Sequence, residues 1–312
     1  EDEDEDDESK AAAGKSREKR RKKKEREREE RITREKEEAL LDPERAPETM
    51  DEFERLVASS PNSSYVWIKY MALHLQMTDV DRAREVSDRA LKTINFREET
   101  ERFNVYVARL NLESMYGTRE QLMQVFEEAC KMSDPKKMHF QLLQIFEKGT
   151  DAQVTEQFFK TLTRKYRQSC KAWLRYCQFK LRGGHGEAAQ RTLDHGLSAV
   201  PKRKHVKLIS RFALAEYREG SAERGRTLME TVLSSYPKRV DLWSVYVDME
   251  LKHSGPESAR RLLARAVTIK LRARQAKFFF KRWLELERTH GDKAAVAAVK
   301  DKAREWVEEH AS

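Results

Sequence analysis

Histidine, cysteine and carboxylate side chains are the groups that could perform catalysis or bind a metal ion, and their spacing argues against both. The eight His residues form no HExxH motif and no other ligand spacing. Cys170 and Cys177 lie on one face of a predicted helix and are interpreted as buried thiols. Glu285 and Glu287 are two apart on a helix, so they point to different faces. Because no nucleophile is paired with a base, we expect a protein that is not an enzyme and has no cofactor, metal or small-molecule substrate.

Two glycine-containing segments share letters with nucleotide-binding loops. Gly14–Ser16 copies the end of a phosphate loop, but the first glycine of that motif would fall at Ser9, and no strand precedes it. Gly183–Gly186 lies between two predicted helices, whereas a dinucleotide-binding loop follows a strand. We interpret the second segment as a flexible turn.

The composition indicates a helical intracellular protein. Charged residues make up 38% of the 312 residues, well above the roughly 25% of an average globular chain. Only 11 Gly and 7 Pro leave little material for β-turns. Three cysteines are too few for a disulfide framework, and no apolar stretch is long enough to cross a membrane. We therefore expect a reducing compartment and no membrane association.

The net charge of +9 is unevenly distributed. Residues 1–41 carry −2, residues 42–165 carry −3 and residues 166–312 carry +14. The positive charge therefore belongs to the second half of the chain, where a negatively charged partner would be attracted.

A charged leader is predicted over residues 1–48, and the folded domain over residues 49–312. Residues 1–8 are all acidic, and residues 10–38 alternate Lys/Arg with Glu at the i,i+4 spacing of an exposed helix. Lys19–Lys24 is either a nuclear-localisation patch or a solvated charge run. Because the chain begins with Glu rather than Met, we interpret it as part of a longer protein.

An internal repeat determines the predicted fold. A large apolar residue is followed three positions later by another, and this pair recurs seven times at intervals of 33 to 37 residues. The pairs are Trp67/Tyr70, Phe103/Tyr106, Phe140/Leu143, Trp173/Tyr176, Ile209/Phe212, Trp243/Tyr246 and Phe280/Trp283. Four units also have Glu seven positions after the first member, at Glu147, Glu216, Glu250 and Glu287. We interpret the aromatic pairs as core packing between neighbouring units.

Each unit has a second amphipathic segment, with a small residue where two helices must approach closely. Examples of the small residues are Ala90, Ala129, Gly196 and Ala266. The pattern predicts an all-α protein, a right-handed α-solenoid of seven helix–turn–helix units with a preceding helix near Met50–Val57.

Basic residues gather upstream of the apolar pairs in the last four units. Eleven of them, together with Lys281 and Arg282 between the members of the last pair, are called the basic ridge. The thirteen residues are Arg167, Lys171, Lys202, Arg203, Lys204, Lys207, Lys238, Arg239, Arg272, Arg274, Lys277, Lys281 and Arg282. Arg260, Arg261 and Arg265 add charge at the same end of the chain. Equivalent positions of a solenoid align along one edge, so the ridge suits the sugar–phosphate backbone of RNA. The alternatives are that it keeps the protein soluble or meets an acidic protein segment, such as the acidic residues 1–8.

The repeat resembles the half-a-tetratricopeptide (HAT) repeat, a tetratricopeptide-like (TPR-like) unit. The matching segments are WIKY at Trp67, DRAL at Asp88, RFNVY at Arg102, WLRY at Trp173 and WSVYVDME at Trp243. HAT repeats are associated with RNA-processing complexes, so the resemblance implies that class.

Longer segments resemble the C-terminal domain of the ribosomal RNA processing protein 5 family over about residues 49–310. They are DEFERLVASSPNSSYVWIKYMALHLQ from Asp51, RALKTINFREE from Arg89, YPKRVDLWSVYVDMELKH from Tyr236 and KFFFKRWLELERTHG from Lys277. This resemblance implies a nucleolar, non-catalytic scaffold of the small-subunit processome. Its expected partners are ribosome-assembly proteins, small nucleolar ribonucleoprotein components and pre-rRNA. The alternative is a HAT scaffold of another RNA machine, in splicing or mRNA 3′-end formation.

Overall fold

The computed structural model describes residues 28, 47, 49–149, 151–269 and 272–310. In these residues it has fifteen α-helices, one short 3₁₀-helix and no β-strand. The sequence prediction for the charged leader, including Lys19–Lys24, falls outside the described residues except for Arg28 and Pro47.

The chain divides into two compact units, Glu1–Ser133 and Asp134–Ser312. The helices of the first unit are α1 (Met50–Ser59), α2 (Ser64–Gln76), α3 (Val80–Thr93), α4 (Glu99–Tyr116) and α5 (Arg119–Met132). The second unit begins with α6 (Pro135–Lys148), α7 (Ala152–Lys165), α8 (Cys170–Arg182), α9 (Gly186–Ala199) and the 3₁₀-helix Lys202–Lys204. It continues with α10 (His205–Glu219), α11 (Ala222–Ser235), α12 (Val240–Ser254), α13 (Pro256–Val267), α14 (Ala273–His290) and α15 (Lys293–His310).

Short polar side chains fix where several of these helices begin. Thr49 and Glu52 form a capping box at the start of α1. Asp134 and Asp151 accept backbone N–H groups from the first turns of α6 and α7, and Pro135 occupies the first position of α6. The polar turns of the sequence thus become helix starts at regular intervals.

The all-α solenoid predicted from the repeat is confirmed. Helix α1 precedes seven helix pairs, from α2/α3 to α14/α15, and each pair corresponds to one sequence repeat. Small residues lie where helices approach closely: Ala90, Ala129 and Ala266 are fully buried. A Cβ atom at Gly196 would lie only 3.1–3.2 Å from side-chain atoms of Trp173, which explains why this position has no side chain.

The repeated aromatic positions mostly lie in the core. Ten of the twelve aromatic residues in the predicted pairs are buried: Trp67, Tyr70, Tyr106, Phe140, Tyr176, Phe212, Trp243, Tyr246, Phe280 and Trp283. Trp173 and Phe103 are only partly buried. The stripe therefore packs between helices, as core aromatic residues do.

Buried carboxylates join successive repeats within each unit. A carboxylate on the first helix of a repeat accepts hydrogen bonds from an Arg on the second helix of the repeat before it. These pairs are Arg84 to Glu113, Arg226 to Glu250 and Arg260 to Glu287, at nitrogen–oxygen distances of 2.9, 2.8 and 2.9 Å. Burying a charge costs free energy unless it is paired, so each Arg is needed where its Glu is buried.

The second repeat differs from its predicted register. Glu113 is buried and followed four residues later by Gly117, as Glu216 is by Gly220. Ile209, the first apolar member of the fifth repeat, lies seven residues before Glu216. The residue seven positions before Glu113 is Tyr106. The prediction that Phe103 is the first apolar member of the second repeat was therefore wrong by about one helical turn. The sequence around Phe103 has apolar residues on more than one helix face, so the apolar pattern alone fits both registers.

We expect the protein to lose stability in acid. A hydrogen bond from Arg89 lowers the pKa of Glu54 to about 2, and one from Arg260 lowers the pKa of Glu287. A carboxylate whose pKa is lower in the folded state adds stability above its unfolded pKa, and this stability disappears as the pH falls toward the folded value. Lowering the pH from 7 to 3 should therefore reduce the melting temperature by about 5 °C or more. Calorimetry would test this, and a flat melting temperature over that range would contradict it.

Candidate functional site

Eleven residues of the basic ridge occupy a repeated place in the second unit, at or just before the first turns of the first helices, whereas Lys281 and Arg282 lie in the middle of α14. Arg167 precedes α8, the 3₁₀-helix Lys202–Lys204 precedes α10, Lys238 precedes α12, and Arg272 is the N-cap residue of α14. All thirteen side chains of the ridge are exposed except those of Lys204 and Arg282, which are partly buried. Positive charge at a helix N-terminus is opposed by the helix dipole, so it gains from a nearby anion.

Contacts between neighbouring repeats show that parts of this edge are continuous. The Nζ atom of Lys204 donates to the carbonyl of Gln168, 3.4 Å away, which connects the fifth repeat to the fourth. The side chain of Gln275 donates to the carbonyl of Lys238 at 3.1 Å, which connects the seventh repeat to the sixth. The structure therefore brings together the ridge residues of repeats four and five, and those of repeats six and seven.

Tryptophan side chains hold two of the turns that carry ridge residues. The indole N–H of Trp173 donates to the carbonyl of Arg167 at 2.7 Å, and that of Trp243 donates to the carbonyl of Pro237 at 2.8 Å. In both turns the donor lies six residues after the acceptor. The packing residues of the repeat thus also fix the backbone beside the basic side chains.

Aspartates neutralise part of the ridge in the last two repeats. Arg239 makes a two-pronged ion pair with Asp241, with nitrogen–oxygen distances of 2.8 and 2.6 Å. The pair raises the pKa of Arg239 and lowers that of Asp241. Arg282 is paired with Asp248. The other eleven ridge residues have no ion pair within the described part of the chain. The uncompensated charge is densest at α10 and α14, each of which has four such residues in its first half or just before it.

Two of the additional basic residues named from the sequence have structural contacts. Arg260 binds the buried Glu287, and Arg265 binds Glu230 while its guanidinium lies 4.9 Å from the centre of the Trp243 ring. Their charge was expected to add to the basic surface, but it is largely neutralised. The third, Arg261, is exposed.

The structure adds basic residues that the sequence prediction did not include. Lys136 and Lys137 are exposed in the first turn of α6, four and three residues before Phe140. The same upstream positions contain the ridge residues of the later repeats, so this signal was present in the sequence. Arg211 and Arg218 follow Lys207 on α10 at helical spacing and are exposed. The basic surface therefore begins in the third repeat and also extends along α10.

The groups considered for catalysis remain apart. Within the described residues, no three His, Cys, Asp or Glu side chains form a group that could hold a metal ion. Cys177 is buried, and burial raises the pKa of its thiol to about 12, whereas Cys170 is partly exposed. Gly183–Gly186 spans the turn between α8 and α9 and the start of α9, and Gly184 has a φ of +76°.

Of the helices in the described ranges, none has the length and apolar character of a membrane span.

Comparisons with known proteins agree on the repeat type. A family model described as the pre-mRNA-splicing factor Syf1/CRNKL1 C-terminal HAT repeat matches residues 57–312. Crooked neck-like protein 1 of Mus musculus is 23% identical over 217 residues, which is 70% of this chain and 28% of that protein.

Higher identity is found with a second group of proteins. Protein RRP5 homolog of Mus musculus is 45% identical over 276 residues, which is 88% of this chain and 15% of that protein. The rRNA biogenesis protein RRP5 of Arabidopsis thaliana is 44% identical over 264 residues, which is 84% of this chain and 14% of that protein. This chain thus spans about a seventh of the length of these RRP5 relatives. It belongs to the C-terminal HAT-repeat family that the model describes, and it is homologous to the matched part of the RRP5 proteins.

Proposed function

We propose that this chain is a non-catalytic scaffold in ribosome biogenesis, which docks assembly factors and pre-rRNA in the small-subunit processome to support pre-rRNA processing. The observation that carries the proposal is the identity of 43–45% with proteins named for RRP5 or rRNA biogenesis. Its place of action would be the nucleolus. Its protein partners would be ribosome-assembly proteins and small nucleolar ribonucleoprotein components, for which a solenoid offers an extended surface.

The alternative, a scaffold of the splicing or mRNA 3′-end machinery, is supported by the name of the matching family model. The identities favour ribosome biogenesis. Among proteins of Mus musculus, the RRP5 homolog is 45% identical to this chain, about twice the 23% of Crooked neck-like protein 1. Crosslinking in cells, followed by sequencing of the RNA that copurifies with the chain, separates the two functions. Precursor rRNA supports our proposal, whereas spliceosomal RNA or mRNA alone would overturn it.

Direct RNA contact would occur through the basic ridge. The ridge has eleven basic side chains without an ion pair in the described residues, and all but Lys281 lie at or just before helix starts rather than around a pocket. Such an arrangement fits a phosphate backbone bound through counterion release, with little reading of base sequence. Seven of these eleven residues are Lys, which binds a phosphate as a point charge.

Neutralising the middle of the ridge should weaken RNA binding. We expect the variant with Lys202, Arg203, Lys204 and Lys207 all changed to Gln to bind a single-stranded RNA oligonucleotide more than tenfold less tightly. The slope of log affinity against log salt should fall by about 0.7 for each phosphate that the variant no longer neutralises. Fluorescence anisotropy over a salt series measures both quantities.

A matched control removes equal charge elsewhere. Lys92, Lys148, Lys252 and Lys300 are exposed and lie outside the ridge, so changing all four to Gln should reduce affinity much less. If both variants lose affinity equally, binding depends on net charge, and the ridge is not a site. If neither loses affinity, RNA does not bind here.

A further inference from the structure

Two lysines converge on one tyrosine ring where the basic surface begins in the third repeat. Lys136 lies in the first turn of α6, Lys165 is the last residue of α7, and Tyr166 follows α7 directly. The Nζ atoms of Lys136 and Lys165 lie 5.9 and 6.0 Å from the centre of the Tyr166 ring. Both distances are within the range of cation–π attraction, so one ring lies beside both ammonium groups.

A buried histidine holds one of the two lysines. His139 Nδ1 lies 2.6 Å from the carbonyl of Pro135, and since a carbonyl only accepts, Nδ1 carries the proton. The other ring nitrogen, Nε2, therefore accepts a hydrogen bond from the Nζ of Lys165, 3.3 Å away. Burial lowers the pKa of His139, and the nearby charge of Lys165 adds to this effect. The group that holds Lys165 is thus neutral and leaves the lysine charge uncompensated.

No carboxylate of the described residues forms an ion pair with Lys136 or Lys165. Asp134 is the nearest acid in sequence to Lys136, and one of its oxygens accepts the backbone N–H groups of Lys136 and Lys137 as a helix cap. Two ammonium groups beside one ring repel each other, and an anion that contacts both would offset this repulsion.

The neighbouring residues connect this place to the basic ridge. Arg167 follows Tyr166 in the chain. Lys171, in the first turn of α8, has its Nζ 4.6 Å from the centre of the Phe140 ring. Lys204 then reaches back to the carbonyl of Gln168 from the next repeat. Basic side chains therefore succeed one another from α6 to α10.

We propose that Lys136 and Lys165, positioned by Tyr166 and His139, form a lysine clamp that binds a phosphate of an RNA backbone at the start of the ridge. This proposal rests on the proposed RNA contact and extends it to a residue set outside the predicted ridge. RNA fits better than a phosphorylated peptide, because the basic residues continue in a row across three repeats. A single phosphate on a peptide is usually recognised by the two-pronged geometry of Arg, and both clamp residues are Lys.

The test uses the full chain and a fluorescently labelled oligouridine, with affinity measured over a salt series. Changing Lys136 and Lys165 to Gln should lower the affinity about tenfold and reduce the salt slope by about 0.7, the change expected when one phosphate is no longer neutralised. The control, Lys148→Gln with Lys300→Gln, removes the same charge from exposed positions away from the clamp. Equal loss of affinity in the two double variants would overturn the clamp.

Tyr166 gives a readout that depends on the ring rather than on net charge. Tyr166→Phe keeps the aromatic face, so its affinity should stay within about twofold of the parent chain. Tyr166→Leu leaves both lysines in place without the ring that holds them, and its affinity should fall at least about threefold while circular dichroism shows the same helix content. Equal affinities of the Phe and Leu variants would overturn the positioning role.

Failure of the clamp and failure of the proposed RNA contact are distinguishable. If the variant with four changes at Lys202–Lys207 loses RNA while the clamp variant does not, the ridge binds RNA and the clamp is wrong. If neither variant loses RNA, the proposed RNA contact itself is wrong. A phosphoserine peptide that binds the parent chain but not the clamp variant, with RNA binding unchanged, would assign the clamp to a protein partner and overturn our proposal.

Discussion

Trp243→Ala should lower the free energy of unfolding of the second unit by about 3–5 kcal/mol. Trp243 is only 3% exposed, and its ring packs edge-on against Phe279 with the centres 6.5 Å apart. Its N–H donates to the carbonyl of Pro237, and Arg265 lies over its face. The substitution would leave a cavity and remove all of these interactions, so chemical denaturation should show a large loss of stability.

Two substitutions calibrate this effect. Trp243→Phe keeps an aromatic ring and removes the N–H and part of the volume, so we expect it to cost less than Trp243→Ala. Tyr236→Ala changes a neighbouring aromatic residue that is 48% exposed, and surface changes of this kind stay within about 0.5 kcal/mol. An unchanged melting curve for Trp243→Ala would refute the assignment of the repeated aromatic positions to the core.

Periodicity alone was enough to predict the helical repeats. A pair of apolar residues that returns every 33 to 37 residues specifies helix pairs, since each pair buries its apolar face against its neighbours. The second repeat shows the limit of this reasoning. Phe103 and Tyr106 both fit an apolar pattern. The spacing from Tyr106 to Glu113 favours Tyr106 already in the sequence, and the burial of Glu113 agrees with that register.

The sequence predicts which residues belong to the basic ridge, but it does not predict which of them are neutralised by ion pairs. Arg239 and Arg282 were both predicted to belong to the ridge, yet both are paired with aspartates. The partner of Arg282 is 34 residues away, so pairing depends on how neighbouring repeats align. The lysine clamp shows the same limit, because Lys136 and Tyr166 are far apart in the chain and meet only when α6 packs against α7.

Arg260→Met should destabilise the second unit by about 3–5 kcal/mol, because it leaves a buried carboxylate without its counter-charge. Glu287 is 3% exposed and accepts from Arg260 at 2.9 Å on both oxygens. Arg261→Met is the matched control, since Arg261 is exposed on the next position of α13, and it should cost no more than about 0.5 kcal/mol. If the two variants unfold at the same denaturant concentration, the buried pair does not hold the repeats together.

A second substitution separates the effect of the unpaired charge from that of reduced packing. The indole N–H of Trp283 donates to Glu287 at 3.0 Å, and the amide oxygen of Gln can still accept that bond. The double variant R260M/E287Q should therefore be more stable than Arg260→Met by about 2 kcal/mol, although it contains one more change. The cost of Arg260→Met should also shrink at about pH 4: without Arg260, burial raises the pKa of Glu287, and the protonated carboxyl needs no counter-charge. A double variant that is less stable than Arg260→Met, or a cost independent of pH, would show that Arg260 contributes packing rather than charge.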